Sequence, residues 1–122
     1  MTIKRFEDIE GWREARKLTK MVYDIARKGL FSKDYRLRDQ ITAASVSTMS
    51  NIAEGFDSQS NPKFIRFLGY SRRSCSEVQS CLYVALDQSY INQEEFNEIY
   101  NQAKLTAKLC NGLITYLKKS VS

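Results

Sequence analysis

Histidine is absent from this sequence of 122 residues, which also has only one proline and three cysteines. Without histidine there is no imidazole base, no HExxH zinc site and no Glu-x-x-His ligand set for a di-iron centre. The sequence also lacks a glycine-rich phosphate loop. We therefore expect no catalytic residue, no metal and no cofactor, and the chain is predicted not to be an enzyme.

Turn-forming residues are few as well. One proline and five glycines are too few for the many tight turns of a β-sandwich. A hydrophobic content of 43% is ordinary for a globular protein. The length suits one compact domain, which we place at residues 1–122.

The cysteines and the chain's start bear on its compartment. The number of cysteines, three, is odd, and no C-x-x-C motif occurs. We therefore expect reduced thiols that act as small core residues, not a disulfide framework or a zinc site. The start, MTIKRFEDIEGW, has no apolar signal-peptide region, and no apolar run is long enough to span a bilayer. We expect a cytoplasmic protein with no membrane partner.

Apolar residues recur at spacings of three and four in four segments, which is typical of amphipathic helices. The predicted helices start at about Asp8, Lys33, Asn61 and Asn92, and the first two end near Lys28 and Glu54. Ser32 is predicted to cap the second helix, and Asn92 with Glu95 to form a capping box at the start of the fourth. Short connections make neighbouring helices antiparallel. The predicted fold class is all-α, an antiparallel up-down-up-down four-helix bundle. Its core positions include Leu37, Ile41, Ala44, Thr48 and Ile52; Phe64, Leu68, Ser71, Cys75, Val78, Leu82 and Ala85; and Phe96, Ile99, Ala103, Thr106, Cys110, Leu113 and Leu117.

The stretch SNIAEGFDSQSNPKFIRFL joins the second and third helices. Gly55 is predicted to end the second helix in a left-handed conformation, and Asn61 to cap the third. Asn51 and Glu54 lie one turn apart near this corner. They could form a ligand pocket or, as we favour, a structural polar corner with Gly55. Because the helix dipole disfavours Glu54 there, we expect a cation partner, Arg66 or Arg72.

The net charge of +5 is unevenly distributed. No acidic residue occurs from Ser58 to Ser76, or from Ile99 to the end. In such a setting lysine and arginine can neutralise phosphates and tyrosine can stack on a base. A solvated face or a face of intersubunit salt bridges is the other interpretation. The candidate nucleic-acid-binding residues are Lys63, Arg66, Tyr70 and Arg73 in the third helix, and Lys104, Lys108, Lys118 and Lys119 in the fourth.

Helices 3 and 4 carry more apolar residues than one core can bury. The third helix begins with apolar side chains around most of its circumference. The fourth repeats Tyr100, Ala107, Ile114 and Val121 at seven-residue spacing. This surplus predicts a second buried interface, and therefore self-association.

Three stretches carry a family resemblance: FEDIEGWREA, SNIAEGF and FIRFLGYSRRSCSEV. They resemble the bacterial four-helix-bundle proteins encoded in intervening sequences of 23S ribosomal RNA genes, which are sometimes labelled ribosomal. The resemblance extends from Phe6 to about Leu117. The sequence departs from the family pattern at Met49, where proline is common, and at Arg73 and Ser89, where glycine is common.

The resemblance implies a homopentamer arranged as a ring. It also implies nucleic acid as a partner, because basic, distant relatives assist the reverse transcriptases of diversity-generating retroelements. The function expected from residues and resemblance together is that of a non-enzymatic, oligomeric accessory protein that binds RNA or DNA. The alternative is a structural or protein-binding oligomer with no nucleic-acid target.

Overall fold

Four α-helices make up most of the chain. The computed structural model describes the backbone of residues 2–121 and the side chains of residues 2–119. The helices are α1 (Glu10–Ala26), α2 (Tyr35–Asp57), α3 (Asn61–Asp87) and α4 (Gln93–Val121). Short 3-10 helices at Phe6–Asp8 and Gly29–Lys33 precede α1 and α2. The predicted all-α fold class is confirmed, and the described residues contain no strand.

Each helix packs against two neighbours, in the order α1, α2, α3, α4 and back to α1. Hydrogen bonds between α3 and α4 show their direction. Arg72 donates to the Asn111 side chain at 2.9 Å, and Gln79 donates to the Tyr100 carbonyl at 3.4 Å. Residue numbers therefore rise along α3 as they fall along α4. The antiparallel bundle follows the predicted connectivity.

The predicted core positions of α2 and α3 are all buried. In α4 the outcome is mixed, because Leu113 is only half-buried. Ile114, which was expected at an outer interface, is instead buried in the core beside Phe64, Leu68 and Leu117. The predicted outer stripe through Ile114 is therefore wrong, and the side chain of Val121 lies outside the described residues.

The buried apolar residues form two clusters, one towards each end of the bundle, and buried hydroxyl groups lie between them. Ser45, Thr48, Ser71 and Thr106 are fully buried. Ser71 donates to the Thr48 carbonyl at 2.8 Å, which joins α3 to α2. Thr19 donates to the Ser45 carbonyl at 2.9 Å, which joins α1 to α2. Within the described residues, every buried side-chain nitrogen and oxygen has a hydrogen-bond partner, so this layer avoids the cost of unpaired polar groups.

The helix ends depart from the predicted caps in two places. Asp34, rather than Ser32, caps α2 by accepting from the Leu37 amide at 3.1 Å. Ser60, rather than Asn61, caps α3. The predicted capping box of α4 is confirmed, since Asn92 and Glu95 exchange hydrogen bonds of 2.8 and 3.0 Å.

Gly55 does not end α2. The helix continues to Asp57, and the left-handed residue of the turn is Gln59, with φ of 56°. A Cβ at position 55 would lie 2.7 Å from the Cβ of Phe67 and 2.9 Å from the Phe64 ring. Glycine is needed here because α3 crosses close to α2, and the prediction of a terminating glycine is wrong.

We expect Gly55→Ala to lower the free energy of unfolding by about 1–3 kcal/mol, the usual cost of overpacking. The contacting Cβ of Phe67 is fixed to its backbone, so it cannot swing away. Chemical denaturation measures the effect. Gly69→Ala is the matched control: position 69 is also helical, but a Cβ there would meet nothing within 4 Å beyond its own stretch of helix, so alanine should stabilise the helix by up to about 1 kcal/mol. Equal behaviour of the two variants would contradict the close helix approach.

Candidate nucleic-acid interface

The predicted basic residues of α3 form one continuous strip. We define the α3 strip as Lys63, Arg66, Tyr70 and Arg73. The three cations are exposed and Tyr70 is half-buried. The Arg73 guanidinium lies over the Tyr70 ring at 5.0 Å, in a cation–π contact.

The α3 strip borders α2. The Tyr70 ring packs edge-on against Phe67, the residue that Gly55 of α2 accommodates. One turn beyond Arg73, Glu77 accepts a hydrogen bond of 3.4 Å from Gln40 of α2. The strip therefore lies on the side of α3 that faces away from α4.

The polar corner next to this strip is more open than the sequence indicated. The Asn51 amide donates to the Ser47 carbonyl at 2.9 Å, within its own helix. Glu54 is exposed. Among the described residues it forms no ion pair, so the cation partner expected in Arg66 or Arg72 is wrong. Gly55 is buried against α3, so these three residues do not form one network.

The lysines of α4 lie on the opposite side of α3. Lys104, Lys108, Lys118 and Lys119 are all exposed. At 3.6 residues per turn, the first three lie within about 60° of Asn111 around the helix axis. Asn111 accepts from Arg72, so these lysines flank the outer groove between α3 and α4. Lys108 also borders a cleft between α4 and α1.

Arg72 belongs to this second basic group, which we define as the α3/α4 face: Arg72, Lys104, Lys108 and Lys118. Around α3, Arg72 lies about 100–180° from the members of the α3 strip. The sequence-predicted site is thus divided between two sides of α3. Arg72 is not among the nucleic-acid-binding residues predicted from the sequence. Its position on this face follows from the antiparallel pairing of α3 with α4. The sequence does not specify that pairing residue by residue, so it carries no signal for Arg72.

The two acid-free segments lie side by side in the bundle. Because Arg72 pairs with Asn111 and Gln79 with Tyr100, residues 59–76 of the chain run alongside the last two-thirds of α4. No acid occurs in residues 58–76 or 99–122. Arg72 and the lysines of α4, which are tens of residues apart in the sequence, therefore share one surface, whereas Lys63, Arg66 and Arg73 lie on the other side of α3.

The described side chains form neither a metal-binding cluster nor a reactive thiol site. They contain no cluster of three His, Cys, Asp or Glu residues able to hold a metal ion. Cys75, Cys81 and Cys110 are free and buried, as predicted for core residues. Burial, followed by the nearby Cys110, raises the pKa of Cys75 to about 12. Burial also raises the pKa of Cys110, against the lowering effect of a hydrogen bond with Ser71. Such thiols stay protonated and unreactive near neutral pH.

An apolar cleft of about 520 Å³ lies between α1 and α4. Leu109, Gly112 and Tyr116 of α4 line it, opposite Gly11 of α1. Leu105, one turn before Leu109, is 40% exposed and extends the same stripe. We call Leu105, Leu109, Gly112 and Tyr116 the outer seam of α4. The sequence predicted a surplus apolar stripe on α4 through Tyr100, Ala107, Ile114 and Val121. In the structure the exposed apolar surface of α4 lies instead along the outer seam.

Comparison with known proteins is informative at the level of the family. The model of the 23S rRNA-intervening sequence protein family matches residues 7–112. The chain belongs to this family. No curated protein matches the sequence at a significant level.

A solved structure from the S23 ribosomal protein family has the same fold as this protein. It is the crystal structure of a protein of unknown function from Bacteroides thetaiotaomicron, with a TM-score of 0.78 and 21% sequence identity. The match covers 85% of this chain and 97% of that chain. At this identity the likeness establishes the four-helix architecture alone.

One departure from the pattern of the 23S rRNA-intervening sequence family has a structural consequence. Ser89, where the family resemblance leads us to expect glycine, has φ of 61°. A left-handed conformation costs a non-glycine residue about 1–2 kcal/mol. The turn forms because Ser89 and Tyr90 donate backbone hydrogen bonds to Leu86 and Ala85.

Within the described chain, no helix is long and apolar enough to cross a membrane.

Because Glu54 is exposed and forms no ion pair with the described residues, Glu54→Gln should change the free energy of unfolding by less than about 0.5 kcal/mol. Denaturant unfolding of both proteins in the same buffer measures this. Glu14→Gln is a suitable comparison, since the Glu14 carboxylate accepts from Gln102 of α4 at 3.1 Å and pairs with Lys17. A loss of more than about 1 kcal/mol in the free energy of unfolding for Glu54→Gln would indicate that Glu54 does have a structural partner.

Proposed function

We propose that this protein is an oligomeric accessory protein that binds nucleic acid through the α3/α4 face. The observation that supports the proposal is the alignment of the two acid-free segments, which concentrates Arg72 and the lysines of α4 on one surface. Cations that replace the counterions of phosphates provide most of the affinity in such binding. Membership of a family named for 23S ribosomal RNA genes is consistent with a nucleic-acid partner.

Assembly would strengthen this binding. One α3/α4 face offers four cations, so we expect weak affinity from a single subunit. Subunits in one oligomer hold several such faces together, and linked sites gain effective concentration without new contacts. The α3 strip, on the other side of the same helix, would add further phosphate contacts. Whether RNA or DNA is the target is an outcome of the binding experiment.

We expect Lys104→Ala/Lys108→Ala to weaken binding and to lower the log–log slope of affinity against salt concentration by about one per removed contact. Fluorescence anisotropy of labelled RNA and DNA over a salt series measures both quantities. The matched control is Lys28→Ala/Lys33→Ala, which removes the same charge from exposed residues near the other end of the bundle. If wild-type protein binds neither nucleic acid at about 50 mM salt, or if both double variants behave alike, the α3/α4 face is not a nucleic-acid interface.

Self-association is supported by the outer seam of α4. Leu105 is 40% exposed in mid-helix, and the seam continues into the cleft beside α1. A contiguous apolar surface of this kind is typical of a protein–protein contact. This seam also favours the second candidate function, a structural or protein-binding oligomer that has no nucleic-acid target.

Light scattering coupled to gel filtration should give a mass several times 14.1 kDa, and the family resemblance predicts five copies. Leu105→Glu should reduce this mass, because a charge in a buried apolar contact is strongly unfavourable. Leu30→Glu is the control, since Leu30 is 70% exposed and lies outside the seam. A wild-type monomer at tens of micromolar protein would contradict assembly, and an unchanged mass for Leu105→Glu would place the contact elsewhere.

A further inference from the structure

A group of three aromatic rings lies between the outer parts of α3 and α4. The Tyr83 ring of α3 packs edge-on against Phe96 and Tyr100 of α4, with centroid distances of 4.9 and 6.1 Å. Phe96 and Tyr100 stack on each other at 5.4 Å. Phe96 is buried and Tyr100 half-buried, whereas Tyr83 is 53% exposed. Packing therefore fixes the Tyr83 ring while leaving about half of the residue open to solvent.

This aromatic group continues the α3/α4 face. Around α3, Tyr83 lies within about 20° of Arg72, and around α4, Tyr100 lies within about 20° of Asn111. Lys104 follows Tyr100 by one turn, about 6 Å along the axis. Because Arg72 and Asn111 are hydrogen-bonded to each other, the rings and the cations border the same groove.

Acidic residues of α3 and α4 lie near one end of the face. Asp87 and Glu94 lie beyond the aromatic group, near the turn between α3 and α4. Glu77 is turned towards α2, where Gln40 donates to it. Among the described side chains of α3 and α4, the charged residues that border the groove from Tyr83 towards Lys118 are therefore basic. Lys108 also lines the cleft beside α1, where Glu10 is the nearby acid. A polyanion placed there would meet aromatic rings at one end and cations along the rest.

Tyr83 suits base stacking better than Tyr70, the aromatic residue that the sequence indicated. The Arg73 guanidinium already lies over the Tyr70 ring, and Phe67 packs against it. Among the described residues, cations lie over the rings of Trp12, Tyr35 and Tyr70, and none lies over Tyr83. The exposed part of Tyr83 is thus open to a planar ligand.

We propose that the α3/α4 face binds single-stranded nucleic acid, with an unpaired base stacked on Tyr83 and the adjoining phosphates at Lys104, Lys108 and Arg72. The inference rests on the proposed function and names its substrate class. A fixed aromatic ring can stack only on a base whose own face is free, as in single strands, loops and bulges. In a duplex both faces of each base are covered by its neighbours, so Tyr83 would contribute little there.

The test compares a fluorescein-labelled oligo(dT) single strand with the same strand annealed to oligo(dA), using fluorescence anisotropy at low salt. Tyr83→Leu keeps an apolar side chain against Phe96 and removes the aromatic ring. It should weaken single-strand binding by roughly fivefold or more, the effect of losing one base stack. Duplex binding should stay within about twofold of wild type, because phosphate contacts alone hold the duplex. Tyr83→Phe, which keeps the ring, should bind as wild type does.

Controls separate the failure of this inference from that of the proposed function. Tyr35→Leu removes another exposed tyrosine, 65% exposed at the start of α2, and should bind both strands normally. Circular dichroism and light scattering should show Tyr83→Leu folded and assembled like wild type; a loss of mass would make Tyr83 a subunit contact and overturn the inference. If wild type binds both strands and Tyr83→Leu binds them equally well, the inference is wrong and the proposed function stands. If wild type binds neither strand, both are wrong.

Discussion

The close approach of α2 and α3 is the contact on which the arrangement of the surface depends. Ser71 donates to the Thr48 carbonyl at 2.8 Å, and Gly55 leaves room for Phe64 and Phe67. These contacts fix how α3 is rotated about its axis, because a hydroxyl donor and a glycine contact tolerate little displacement. Phe67 and Tyr70 consequently turn towards α2, while Arg72 and Tyr83 turn towards α4. A differently rotated α3 would present other residues to the groove with α4.

Charge on this protein is organised by topology. The antiparallel packing of α3 against α4 brings together two acid-free segments. In the sequence they are separated by residues 77–98, which contain acidic residues and the turn between the two helices. Family membership accounts for the four-helix architecture, which a structure with 21% identity shares. The proposed role depends on the α3/α4 face itself, where one arginine, three lysines and a fixed aromatic group border one groove.

The sequence predicted the helices and most of the core correctly, because spacings of three and four residues and capping residues are local signals. The Asn92–Glu95 capping box is one example. It was wrong about Gly55, since a glycine that ends a helix and one that admits a neighbouring helix are alike in the sequence. It was also wrong about Ile114 and the partner of Glu54, because both depend on where the adjacent helix lies.

Taken alone, the sequence determined that the chain is helical, that four segments have apolar stripes, and that two segments lack acids. Each of these properties follows from residues within one or two helical turns of each other. Only the tertiary structure decided which cations share a surface, dividing Lys63, Arg66 and Arg73 from Arg72 and the lysines of α4. It alone placed Tyr83 rather than Tyr70 beside those lysines. The physical reason is that the rotation of a helix is set by contacts such as Ser71 with Thr48, whose partners lie more than twenty residues apart.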